Sequence, residues 1–61
     1  MEYLNTSFEN KSFKGQVIET VVDCDFTNCD MRGAQIQYAV NCKFTGCNMQ
    51  GVQINYAYRS Q

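Results

Sequence analysis

Along the chain the apolar residues come in short pairs. In the middle of the sequence they fall at Cys24 and Phe26, Cys29 and Met31, Ala34 and Ile36, with Ala39 beginning another pair. Each is a small residue, one spacer and a large residue, restarting every five positions. A spacing of two puts both side chains on one face of an extended strand. The step of three to the next pair turns the chain through a corner and points it inward again. A helix would need matches at three and four sustained along one stripe, and the pairs break that pattern. Phe, Val, Ile, Thr and Tyr are frequent and Pro is absent, which suits a pleated ladder.

The pairs sit inside a longer period. Residues 24–41, CDFTNCDMRGAQIQYAVN, laid over residues 42–59, CKFTGCNMQGVQINYAYR, give 10 identities in 18. Residues 6–23 fit the same frame, with Phe8, Asn10, Gly15, Ile18 and Val22 matching Phe26, Asn28, Gly33, Ile36 and Val40. Three units, 6–23, 24–41 and 42–59, therefore fill a single domain over 1–61, and a fixed period of this kind marks a repeat architecture. Stacking the units aligns like with like: Phe8, Phe26 and Phe44; Phe13, Met31 and Met49; Ile18, Ile36 and Ile54. These three columns are the expected core. Gly15, Gly33 and Gly51 recur at one corner, where positive φ or a close backbone approach is expected.

The segments Cys-Asp-Phe-Thr-Asn, Cys-Asp-Met-Arg-Gly and Ala-Gln-Ile-Gln-Tyr resemble the pentapeptide-repeat proteins. That resemblance implies an all-β fold, a short right-handed parallel β-solenoid in which four five-residue units make one square turn with small and large residues inward. Here three such units are followed by only Ala39-Val40-Asn41, so one side of each of about three coils is expected to be shortened. Strict alternation would turn Ile36, Tyr38, Val40, Cys42 and Phe44 inward. A straight strand from Ala34 to Phe44 would run about 33 Å, however, and the seven remaining residues could return only about 23 Å. A bend is therefore expected near Tyr38 to Ala39. Either Tyr38 or Val40 is buried beyond it, and the other joins an outer apolar column with Tyr56 or with Val22 and Tyr58.

Composition narrows the function. A net charge of -1 with five scattered Lys and Arg gives no basic stripe for nucleic acid. The start MEYLNTSFEN has no signal-peptide pattern and no segment is long enough to span a bilayer, so a cytoplasmic protein with no membrane contact is expected, or a virion component. Cys24, Cys29, Cys42 and Cys47 read as C-x4-C-x12-C-x4-C, a spacing wider than structural zinc sites favour. They occupy the small inward slot that Ala34, Ala39 and Ala57 fill elsewhere, and plain core cysteine is the expectation over a disulfide or a metal site. No His and no nucleophile motif are present, so no enzyme, no catalytic residue, no metal and no cofactor are expected. Asp23, Asp25 and Asp30 read as solvated turn or outward residues.

Two functional classes follow. One is a structural or protein-interaction module that self-assembles through the end or side of its solenoid, in the size range of a phage accessory or virion protein. Thr6, Lys11 and Gln16 replace small apolar residues in the first unit, which suggests a partly capped N-terminal end. The last unit keeps Cys42, Phe44, Cys47, Met49, Val52, Ile54 and Ala57, with only Ser60-Gln61 to follow. A homo-oligomer is therefore expected, with Val40, Ile54, Tyr56 and Tyr58 as candidate interface residues. The resemblance supplies the alternative, a duplex-DNA mimic that inhibits DNA gyrase or topoisomerase. Mimicry needs dense negative charge along a long rod, since DNA carries one charge per roughly 1.7 Å. The expected outcome of a gyrase supercoiling assay is no inhibition at low micromolar protein. Inhibition that disappears when Asp25 and Asp30 become Lys would reverse the ranking.

Overall fold

A computed structural model of the protein describes residues 1–60. It contains seven strands: β1 (Glu2–Leu4), β2 (Ser7–Glu9), β3 (Val17–Val22), β4 (Asp25–Thr27), β5 (Gln35–Val40), β6 (Lys43–Thr45) and β7 (Gln53–Tyr58). Every strand pairing is parallel. One sheet runs β1-β3-β5-β7 and the other β2-β4-β6, while Ser12, Asp30 and Asn48 form a third side through isolated parallel bridges. Partners are 18 residues apart throughout, as in Phe8↔Phe26↔Phe44 and Ile18↔Ile36↔Ile54. The result is a short parallel β-solenoid of about three coils, built on the expected repeat. The N-terminus adds something the repeat frame leaves out: β1 pairs with Thr20–Val22 and lays a partial further rung on the long side.

Left-handed backbone conformation makes the corners. Asn5, Asp23, Asn41 and Arg59 form one column of positive φ, Asn10, Asn28 and Gly46 a second, and Gly15, Gly33 and Gly51 the expected glycine column. Asn and Asp reach this region at less cost than other side chains, which explains their recurrence at the first two corners. Corner amides are not left idle. Asp23 and Asn41 donate to Val40 O and Tyr58 O at 2.9 and 2.8 Å, and Asn28 donates to Thr45 O at 2.8 Å, so each turn is tied to its neighbour.

The shortened side is made by a bend inside the long strand. The ladder pairs Ile18 with Ile36 and Thr20 with Tyr38 but skips Glu19 and Gln37, and likewise skips Gln37 and Asn55. Gln37 and Tyr38 both face outward, and the next inward position belongs to Ala39, which is fully buried between Val21 and Ala57. The expected choice between Tyr38 and Val40 is thus corrected: Tyr38 is 52% exposed, Val40 is only half-buried, and neither takes the inward slot. The reason is volume. At interior packing density that slot takes a small side chain, as it does at Cys24, Cys29 and Ala34.

The core consists of Phe13, Ile18, Val21, Cys24, Phe26, Cys29, Met31, Ala34, Ile36, Ala39 and Cys42. Phe8, Phe26 and Phe44 stack at 5.1 and 4.9 Å between centroids, with the Phe26 and Phe44 planes 11° apart. Phe13 meets Phe26 edge-on at 5.4 Å, so stacked and edge-to-face contacts combine around one buried ring. Phe26→Ala should cost about 3 to 5 kcal/mol and Cys42→Ala about 1 kcal/mol. Chemical denaturation measured on both variants checks the contrast, and equal losses would mean that the aromatic column does not dominate.

Candidate interaction surfaces

The two ends of the solenoid differ. At the N-terminal end β1 lowers the Tyr3 ring onto the core, edge-on to Phe8 at 4.9 Å and to Phe13 at 6.0 Å. Thr6, expected as a polar cap, turns its hydroxyl to Leu4 O at 2.8 Å. Lys11 and Gln16 lie exposed around this plug. The C-terminal end has no counterpart to Tyr3 among the described residues. Phe44, Cys47, Met49, Val52 and Ile54 are only half-buried and Ala57 is exposed, although their equivalents one coil earlier, from Phe26 to Ala39, are buried. Gly46 and Gly51 amides also find no backbone partner among the described residues, whereas Asn28 and Gly33 donate into the following coil. This end is therefore an apolar floor with a ring of unpaired backbone groups around it.

Ser60 closes one point of that floor. Its hydroxyl donates to Ala39 O at 3.1 Å and receives the Cys42 amide at 3.4 Å, occupying the small slot one rung beyond Cys42. The expectation that Ser60-Gln61 is too short for a lid rests in part on Gln61, which lies outside the described residues.

All four cysteines sit in that same small slot, free and with Cys24, Cys29 and Cys42 buried. Each thiol points at two carbonyls, one two residues back and one in the previous coil. Cys42 approaches Val40 O and Val21 O at 3.3 Å, and Cys47 approaches Phe26 O at 3.2 Å. Thr6, Cys24, Cys42 and Ser60 form one continuous column of such donors, which is why the slot takes Cys, Thr and Ser as well as Ala. Burial pushes the Cys42 and Cys47 thiols upward, away from the thiolate that metal binding or nucleophilic attack requires.

The outer flank carries the aromatics. Tyr38 and Tyr56 stand 5.9 Å apart in one column, and Val22, Val40 and Tyr58 form the next. Arg59 lies over the Tyr58 ring at 5.3 Å, a cation held to an aromatic face. The four candidate interface residues thus divide between two surfaces: Ile54 belongs to the end floor, and Val40, Tyr56 and Tyr58 to the flank. Gln37 and Asn55, exposed beside the tyrosines, had no part in the sequence-based expectations, though both fall at one position of the 18-residue frame.

Acidic residues take structural positions. Asp23 is a left-handed corner whose carboxylate accepts from Asn41 Nδ2 at 2.7 Å. Asp30 accepts the Arg32 amide at 3.2 Å and a two-pronged guanidinium contact at 2.9 and 2.7 Å, and Asn48 repeats the turn by accepting from the Gln50 amide. No group of three or more His, Cys, Asp or Glu converges among the described residues.

Parallel coils of stacked five-residue sides, turning on left-handed Asn, Asp and Gly corners, define a β-solenoid repeat protein. The family model for pentapeptide repeats (8 copies) matches residues 21–51. The chain belongs to the pentapeptide-repeat family, whose members are often protein-interaction modules and whose solenoid is generally non-enzymatic. Comparison with curated proteins finds no significant match.

The Arg32 side chain, and then its backbone amide, hold the Asp30 carboxyl down at about 2. The folded value lies below the unfolded one, so the pair's contribution is complete above the ordinary carboxylate range and disappears as pH falls through about 2. Both partners are solvent-accessible, which screens the pair and keeps its contribution small. An NMR titration should place the Asp30 midpoint near the low value and move it back toward the ordinary range in Arg32→Gln. An unchanged midpoint in that variant would remove the assigned cause.

Proposed function

We propose that the protein is a non-enzymatic module that associates with itself end to end, with two C-terminal coils meeting about a two-fold axis. The observation that carries this reading is the change in burial between equivalent residues. Phe26, Met31 and Ile36 are sealed by the coil that follows, while Phe44, Met49 and Ile54 present the same apolar surface to solvent. A flat apolar patch of this kind favours coverage, and open β edges around it favour further strand pairing. The Tyr3 plug and the polar residues around it make the N-terminal end a poor complement, which favours a closed isologous dimer over a head-to-tail fibre. The four thiols suit a reducing compartment such as the cytoplasm.

Lateral assembly through the flank is the second reading, supported by the exposed Tyr56 and Tyr58 beside half-buried Val40. DNA mimicry has less behind it: the folded body extends 19 Å along each principal axis and carries a net charge of -1. Light scattering after size exclusion should find a dimer at high micromolar concentration, and a folded, strictly monomeric species would defeat the proposal. Ile54→Lys should dissociate the end-to-end form while Val40→Lys leaves it largely intact. The reverse order would transfer the interface to the flank.

A further inference from the structure

The outer face of the long sheet contains two adjoining hollows that assembly through the end leaves uncovered. One, about 170 Å³, is lined by Val17, Gln35, Ile36, Gln37, Gln53 and Asn55; the other, about 280 Å³, by Gln37, Tyr38, Asn55 and Tyr56. They share Gln37 and Asn55 and form one groove where the strands bend. The bend creates it. By sending Gln37 and Tyr38 outward together, it sets an amide beside a phenol on β5, and Asn55 and Tyr56 repeat the arrangement on β7.

The chemistry of this groove is narrow. No ionisable acid or base other than the two phenols lines it. The carboxylate in the column leading to Gln37, Glu19, is engaged by the Met1 ammonium at 3.3 Å. None of the side-chain amides of Gln35, Gln37, Gln53 and Asn55, nor the Tyr38 and Tyr56 hydroxyls, has a hydrogen-bond partner among the described residues. Each amide offers both donors and an acceptor. The tyrosine rings, 5.9 Å apart and inclined at 59°, add apolar faces.

We propose that this groove binds a neutral carbohydrate chain. A pyranose ring has the complementary composition: an uncharged body, an apolar C–H face to lie on a tyrosine, and a rim of hydroxyls that both donate and accept toward paired amides. A charged glycan, a nucleic acid or an anionic lipid would have to desolvate its charge against groups that supply no counter-charge. The column geometry adds a reason for a chain over a single sugar, because the amide-phenol unit recurs on successive coils about 4.8 Å apart and offers neighbouring subsites to neighbouring residues.

The test is an NMR titration of the 61-residue chain with cellohexaose, laminarihexaose and mannohexaose in turn. An oligogalacturonate and a neutral Gln/Ser-rich peptide serve as the charged and peptide arms. At least one neutral hexasaccharide should shift the Gln37 and Asn55 side-chain amides saturably, with Kd of about 1 mM or tighter. Tyr38→Ala and Gln37→Ala, both at exposed positions outside the core, should each weaken that binding by about tenfold while resonances elsewhere stay in place. The proposal is overturned if no neutral hexasaccharide shifts these amides, if only the oligogalacturonate or the peptide does, or if both folded variants bind as the parent does. Oligomeric state is not the readout, so failure here and failure of the end-to-end assembly remain distinct results.

Discussion

In-register stacking of one coil on the next is the constraint on which the rest of this structure depends. Because every parallel partner lies 18 residues away, each inward side chain meets its own equivalent above and below. A core built this way has little freedom. Phe lies on Phe at Phe8, Phe26 and Phe44, Phe13 is followed in its column by Met31 and Met49, and the small slot must stay small enough for the backbone of the next coil to close over it. The slot also carries polar contacts through Thr6, Cys24, Cys42 and Ser60, which turn toward inner-wall carbonyls, two of which, Val22 O and Val40 O, also accept a backbone amide. Free cysteine is well matched to that position, being small, apolar and a weak donor.

The same constraint makes the ends of the stack chemically different from its middle. A coil in the middle has both faces sealed, while a terminal coil has one face that only something outside the repeat can seal. At the N-terminal end a short extra strand does so, placing Tyr3 across Phe8 and Phe13. At the C-terminal end the pattern of inward residues continues without modification up to Ala57, and Ser60 secures a single hydrogen-bonded point. Interaction surfaces thus arise from the repeat itself: the end where stacking stops, and the flank where the bend in the long strand pushes two consecutive side chains outward.

Much of this was legible in the sequence because a tandem repeat states its own contacts. The 10 identities in 18 between residues 24–41 and 42–59 set the pitch, the pitch set the columns, and the small-x-large pairs assigned Cys24, Phe26, Cys29, Met31, Ala34 and Ile36 to the interior. The apolar floor was legible too, since Phe44, Met49 and Ile54 repeat the core residues Phe26, Met31 and Ile36. Tertiary structure alone decided what the period does not encode. It kept both Tyr38 and Val40 out of the inward position, because the bend sends Gln37 and Tyr38 outward together and leaves the small slot, which the pairs had assigned to Ala39, as the next buried one. It recruited β1 as a plug, since residues 1–5 had no complete unit to betray their alignment. It also joined Gln37, Tyr38, Asn55 and Tyr56 into one groove: alternation assigns neighbouring residues to opposite faces, and only the bend, a compromise between strand length and closure of the coil, could put them on the same one.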